Sequence, residues 1–333
     1  MTRKLLLGFA VLLVIAVGAY FRFRHASPPL EVAYAGNRQV VLQSTTAQVR
    51  EPVTTVSYGD RLEVLQRFQD QVEVRTTTGL TGWVQERELL SGDVWQQAAD
   101  LEKRTASLPI QARGHTKVLT NLHIDAGRVT TRLRQLNKGV LLDIYERRPV
   151  EVPTTAPASA EYSAAEPAQT KKEDWWLVRA HVSDKDTVSG WMLGRFIELD
   201  VPQPLPDYAS SAGMRIVAWF ELNKVADSGG KLKPQYLLAG VHGPEGQPCD
   251  FNILRAYTWG KQRERYETAF VESGDCGRLP VTIAQPGATG GDTRFSYTDI
   301  ATGKAEERNY VMHQTIIRRI KQPGEAKPRK RSR

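Results

Sequence analysis

Ser189-Gly-Trp-Met-Leu-Gly-Arg-Phe-Ile-Glu-Leu199 echoes an earlier stretch, Thr81-Gly-Trp-Val-Gln-Glu-Arg-Glu-Leu-Leu90. The match extends upstream, where Asn137-Lys-Gly-Val-Leu-Leu-Asp-Ile-Tyr145 echoes Tyr58-Gly-Asp-Arg-Leu-Glu-Val-Leu65. The chain thus holds two copies of one β-rich unit. The paired glycines are 23 positions apart in the first copy (Gly59 to Gly82) and 51 in the second (Gly139 to Gly190). Most of the excess is residues 149–173, rich in Pro, Ala, Thr and Glu. A stretch so poor in large apolar residues buries too little surface to offset its ordering, and it reads as a flexible insertion.

Working outward, Val40-Val-Leu-Gln43, Arg61-Leu-Glu-Val-Leu65, Gln71-Val-Glu-Val-Arg75 and Trp83-Val-Gln85 have strand length and strand patterning, with a turn at Thr77 to Gly82. Asp93 to Arg104 reads as a short helix with Val94, Ala98 and Leu101 on one face and Asp93 at its N-cap. This gives a first unit at 31–92, a helical linker at 93–112 and a second unit at 115–201.

Two short units, each with a Gly-x-x-x-x-Val/Ile strand and a closing Gly-Trp-Val/Met strand, resemble bacterial SH3-type (SH3b) domains. The resemblance covers Glu31 to Ser91 and His115 to Val201, somewhat under half of the chain. It implies two small β-barrels and a binding role toward peptides, peptidoglycan or a protein partner. The family's usual Asn-Val-Arg-Ser-Gly-Pro-like opening is missing; Val41-Leu-Gln-Ser-Thr-Thr46 and Leu119-Thr-Asn-Leu122 stand near its place. In such a fold one tryptophan per barrel, here Trp83 and Trp191, is expected in the core. Trp175 and Trp176 are adjacent on a strand and so point to opposite faces. One of them is expected to face outward and, with Tyr145, to contact a ligand.

Val201-Pro-Gln-Pro-Leu-Pro206 reads as a stiff linker. Beyond it, 205–322 carries strand-like runs at Met214–Leu222, Gln235–Val241, Phe251–Trp259, Arg265–Glu272, Val281–Ala284, Thr293–Tyr297 and Tyr310–Arg319, separated by glycine-rich turns. Regular short strands point to an antiparallel sandwich or barrel. The expected fold class is therefore mainly β: two SH3-like barrels, a β-rich C-terminal domain and an N-terminal transmembrane helix.

That helix is read from Leu5 to Phe21, a run without charge. Seventeen helical residues rise roughly 25 Å, near the lower limit for a hydrocarbon core of about 30 Å. Bulky and basic residues follow, Tyr20-Phe-Arg-Phe-Arg-His25, where a signal peptide needs small ones. An uncleaved anchor in residues 1–25 fits better than a cleaved signal, which would leave the protein secreted. The expected location is the inner membrane, single-pass, with the body facing the periplasm or exterior; a cytoplasm-facing body is the alternative. Cys249 and Cys276 flank the runs Phe251–Trp259 and Arg265–Glu272. A hairpin turning at Gly260 to Glu264 would bring the two cysteines together for a disulfide worth ~3 kcal/mol. Two unpaired thiols are the other reading.

The search for catalysis yields no catalytic, cofactor-binding or metal-binding residue. His25, His115, His123, His181, His242 and His313 include neither a His-x3-His pair nor His-Glu-x-x-His, and two cysteines alone do not make a zinc site. Cys276 with His313 does not fit a peptidase pair, because Cys276 sits in a turn, Ser273-Gly-Asp-Cys-Gly277, and no helix follows. Gly287-Ala-Thr-Gly-Gly291 lacks the Lys-Ser/Thr of a phosphate loop. An envelope-facing, membrane-anchored adaptor is the leading expectation, and a cell-wall hydrolase with a catalytic C-terminal domain is the alternative.

The formal charge of +8 invites a nucleic-acid reading, which its distribution removes. Residues 1–25 carry +4. The tail 323–333 ends in Lys327, Arg329, Lys330, Arg331 and Arg333, worth +5 over 327–333, which leaves −1 for 26–326. A neutral body with basic ends makes nucleic acid an unlikely partner. The tail is either a grip on an anionic polymer or lipid surface or a solvated end.

Overall fold

A computed structural model describes residues 28–152, 171–284 and 292–320. The expected span Leu5 to Phe21, the centre of the insertion and the basic tail lie outside the described residues. Among the described residues no helix is long and apolar enough to cross a membrane. The expected transmembrane anchor, and the single-pass inner-membrane location built on it, are corrected accordingly: the two helices that are described are short and polar on one side.

The chain is mainly β, in three antiparallel sheets of seven strands. It divides into two compact units between Gln97 and Ala98. The first unit holds β1 (Glu31–Ala35), β2 (Gln39–Gln43), β3 (Pro52–Ser57), β4 (Arg61–Phe68), β5 (Gln71–Thr76), β6 (Thr81–Gln85) and β7 (Leu89–Ser91). Their order in the sheet is β3-β2-β6-β5-β4-β1-β7. Alternation along each strand sends Ala33, Val40, Leu42, Val56, Leu62, Val64, Val72, Val74 and Val84 into one shared core. Strands at opposite ends of the order contribute to that core, so the sheet coils over it.

Helix α1 (Gly92–Ser107) follows. Ser91, and not Asp93, caps it: the Val94 N–H donates to Ser91 Oγ at 3.3 Å. In the first unit Trp95 of α1 stacks on Tyr34, with ring centroids 4.7 Å apart.

In the second unit β8 (Ala112–Thr116), β9 (Thr120–His123), β10 (Arg132–Leu136), β11 (Leu141–Glu151), β12 (Lys172–Ser183), β13 (Asp186–Leu193) and β14 (Ile197–Leu199) form the sheet β10-β9-β13-β12-β11-β8-β14. Adding seven to each label of the first sheet reproduces this order. A 3-10 turn precedes the last strand in both copies, Glu86–Glu88 and Gly194–Phe196. The duplication read in the sequence is thus a duplication of topology. β11 and β12 run further into the insertion than expected: Pro149, Val150 and Glu151 pair with Asp174, Glu173 and Lys172.

The glycine before each tryptophan has a steric cause. A Cβ on Gly82 would lie 2.9 Å from Leu42 Cβ, and one on Gly190 would lie 2.7 Å from both His123 O and Leu122 Cγ. Only glycine lets β6 cross β2, and β13 cross β9, this closely.

The third sheet is a meander of β15 (Arg215–Ala226), β16 (Leu232–Val241), β17 (Phe251–Gly260), β18 (Arg265–Ala284), β19 (Thr293–Asp299), β20 (Glu306–His313) and β21 (Ile316–Ile320), each paired with the next. Of the expected sandwich or barrel, one continuous rolled sheet is found. Ala218, Leu237, Leu254, Phe295 and Tyr310 fill its inner core, and Asn223 Nδ2 reaches Gln314 O at 3.3 Å between its two ends. Its other face is covered by α2 (Leu205–Ser211), which begins within the last two residues of the expected proline-rich linker. Cys249 and Cys276 form a disulfide at the open end of the β17–β18 hairpin, with Cα atoms 4.9 Å apart.

Candidate functional site

The second and third sheets lie in the same unit and meet around Arg147, which is 2% exposed at its side chain. Its Nη2 donates to Asp174 Oδ1 at 2.6 Å and to Gln247 O at 2.9 Å. Its Nη1 donates to Asp250 Oδ1 at 3.1 Å and to Cys249 O at 2.9 Å. Burial pushes the Asp250 carboxyl up, while the Leu279 N–H, Arg278 and Arg147 favour its charged form. Gln111 adds a second tie across the sheets: its Oε1 accepts from the Val281 N–H at 2.7 Å.

Beside this junction is a cleft of about 400 Å3. Ile144, Trp176, Ile197 and Val217 give it an apolar floor, and Lys117, Arg195, Arg215, Asp174, Glu198 and Glu245 bring both signs of charge. Several of these charges are already engaged. Arg195 donates to Glu173 at 3.0 Å, Arg215 lies 3.7 Å from Asp174, and Glu198 is 3.7 Å from His115. The Lys117 ammonium and the Glu245 carboxylate have no hydrogen-bond or ion-pair partner among the described residues.

Two walls of the cleft are strand edges. β14 is the last strand of the second sheet and β15 the first of the third. Three consecutive residues of each, 197–199 and 215–217, line the cleft. Neighbouring side chains of a strand point to opposite faces. Three lining residues in a row therefore mean that the backbone edge itself borders the space.

No family model matches the chain. No curated protein matches it either. Among solved structures, that of NlpC2 from Trichomonas vaginalis aligns over 74% of this chain and 97% of that chain, with 8% identity and a TM-score of 0.18. A superposition that loose carries no argument about fold or chemistry.

The expected contact residues are all buried: Trp175 is 3% exposed, Trp176 7% and Tyr145 3%. Trp175 and Trp176 do point to opposite faces, but both faces are covered. Trp176 packs into the sheet core with Leu122, Ile144 and Met192. Trp175 packs outside it with Leu177, Trp191 and Leu193, under Leu101 and Leu108. Trp191 is buried as expected, 2% exposed, in this outer core cluster, and Arg148 sits 4.2 Å over its ring. The inward residues are the ones that follow the tryptophans, Val84 and Met192, and Trp83 is half-buried. Of the three expected residues, only Trp176 borders the cleft. Trp175 lines a separate hollow of about 370 Å3 with His123 and Arg128, where burial holds His123 below its ordinary value against the Thr130 carbonyl.

Sequence reasoning missed Lys117, Asp174, Arg215 and Glu245, because no local spacing links residues 30 to 128 positions apart. Cys276 is bridged, so its thiol is not available as the nucleophile weighed with His313. His313 instead lies 2.7 Å from Asp292. Among the described residues no group of three or more His, Cys, Asp or Glu is placed to hold a metal.

Proposed function

We propose that this chain is a binding and adaptor protein: its first two sheets are SH3-like modules, and the cleft between β14 and β15 receives an extended peptide segment. The observation that carries this reading is the pair of strand edges beside an apolar floor. A strand edge offers backbone donors and acceptors at the spacing of an extended peptide, and pockets beside it select side chains. The unpaired Lys117 and Glu245 suit a segment with charges of both signs, as in a peptide cross-link or a protein partner's loop. The resemblance of the repeated Gly-Trp units to SH3-type modules supports the same role.

The test is selection of a displayed peptide library on the immobilised full-length chain, followed by affinity measurement of the enriched sequences. Enriched peptides should carry apolar residues flanked by charge. K117E and E245K should each weaken binding by about tenfold, in line with loss of one charge-assisted contact. Absence of enrichment, or both variants binding as tightly as the parent, would sink the proposal.

A further inference from the structure

A second groove lies on the α2-covered face of the third sheet, away from the cleft, and has a different character. It measures about 650 Å3. Arg255 and Tyr257 of β17 are two positions apart and so share this face. Tyr266 of β18 and Tyr208 of α2 complete the wall, and Arg263 and Arg265 stand at the end of the hairpin.

Two donors of this groove lack a hydrogen-bond partner among the described residues. Arg255 Nε is buried without a hydrogen bond, and Arg255 makes no ion pair among the described residues. Tyr257 is 2% exposed and its buried hydroxyl is likewise unpartnered. Buried polar groups in folded proteins are hydrogen-bonded in the great majority of cases, so two orphans lining one groove point to something that supplies acceptors. The charge count agrees. Arg263 and Arg265 share one carboxylate, Glu267, at 3.2 and 3.9 Å; three guanidiniums against one acid leave an excess of two positive charges. The Tyr266 phenol is pushed up to about 12, first by burial and then by Tyr236, so it remains a donor throughout the neutral range.

We propose that this groove binds a phosphate monoester carried on a small organic body, with Arg255 and Tyr257 donating to the phosphoryl oxygens. Such a group carries nearly two negative charges at neutral pH and three acceptor oxygens, matching the excess charge and the orphaned donors. Guanidinium forks fit phosphate oxygens bidentately. A monocarboxylate would offer half the charge and fewer acceptors. The tyrosine wall, in which the Tyr208 and Tyr257 rings stack at 5.6 Å, favours an ester with an apolar or ring body over inorganic phosphate.

The experiment is calorimetric titration of the full-length chain with phenyl phosphate, inorganic phosphate and benzoate, together with flotation on vesicles containing phosphatidic acid. Phenyl phosphate should bind most tightly and benzoate least, with affinity falling as salt rises. R255Q should weaken phenyl phosphate by about tenfold or more. R263Q alters a side chain that is 68% exposed, so it leaves folding intact, and it should weaken binding less. No heat with phenyl phosphate at about 10 mM, or R255Q and R263Q both binding like the parent, overturns the site. Capture by vesicles without binding of phenyl phosphate overturns a small soluble ester as the ligand. The peptide-selection result bears on neither outcome, because the two sites share no residue.

Discussion

The guanidinium of Arg147 on β11 lies 3.1 Å from the carboxylate of Asp250, the residue that follows Cys249 and precedes β17, with both side chains almost fully buried. The pair joins the second sheet to the third, and Asp174, at 2.6 Å, makes it a triad with two acids on one base. Removing one member of a buried pair leaves an uncompensated charge, which typically costs about 3–5 kcal/mol. Here R147A would take the buried base from two acids, leaving Asp174 with Arg215 at 3.7 Å and Asp250 with Arg278 at 3.4 Å. It is expected to destabilise the second unit by about that range and to shift its unfolding in urea to lower concentration. R147M with D174N and D250N should recover part of the loss, since neutral isosteres need no counter-charge. If R147A unfolds at the parent's midpoint, the triad is not what holds the sheets together.

The disulfide sits next to this triad, and its two cysteines are 27 positions apart. In the loop-entropy picture, closing a loop of that size stabilises by about 3 kcal/mol. C249A with C276A, or mild reduction of the parent, should lower unfolding stability by that amount. Thiol titration of the unreduced, denatured protein should find no free cysteine. A double variant as stable as the parent would mean that the β17–β18 ladder alone fixes the hairpin ends.

Much of the fold was legible, for identifiable reasons. The Gly-Trp repeat encodes a crossing that only glycine permits, so it surfaces as sequence identity and then as identical strand order. β4, β5 and β17 alternate or cluster apolar residues and were read within a few positions. β1, β3 and β7 are short or polar and left no periodic signal. β18 runs for 20 residues through Gly274, Gly277 and Pro280, residues that read as breaks but sit at register irregularities of the ladder. The burial of Trp175 could not be read locally, because its cover includes Leu101 and Leu108, some seventy positions away. The cleft was hidden for the same reason: its lining comes from six separated stretches, and its chemistry exists only once they meet.

The crossing glycines make a sharper stability test than the tryptophans beside them. G190A places a methyl group 2.7 Å from a backbone oxygen, His123 O, which cannot swing aside as a side chain could. Overpacking of this kind typically costs about 1–3 kcal/mol. G82A, whose nearest contact is 2.9 Å, should cost a similar or smaller amount in the first unit. G92A is the control: its Cβ would meet Val32 O at an ordinary 3.5 Å, and in the first turn of α1 alanine is the better helix former. Thermal unfolding should rank G190A as clearly destabilised and G92A as unchanged or improved. Equal midpoints for the two would mean that β13 and β9 part easily.

Acid should weaken the second unit through Glu173, whose side chain is 4% exposed. Arg128 donates to both of its oxygens, at 2.8 and 2.5 Å, and Arg195 to one. The Arg128 hydrogen bonds hold the carboxyl below its ordinary 4.5, against the opposing effect of burial. A carboxyl depressed on folding contributes stability that is fully present above its unfolded value and is lost as pH falls through its folded value. The loss therefore begins below about 4.5. Asp299 acts in the same sense: burial alone would raise it, but the N–H groups of Cys276 and Ala301 and the Arg308 guanidinium together bring it below 3.8. Asp250, raised by burial, works the other way, so the raw acid limb mixes signs and a difference curve is needed. E173Q should be less stable than the parent at pH 7, and the gap should close as pH falls from 5 toward 3. Melting temperatures followed by circular dichroism over that range check this. A gap that stays constant would show that Glu173 acts through packing and not through its charge.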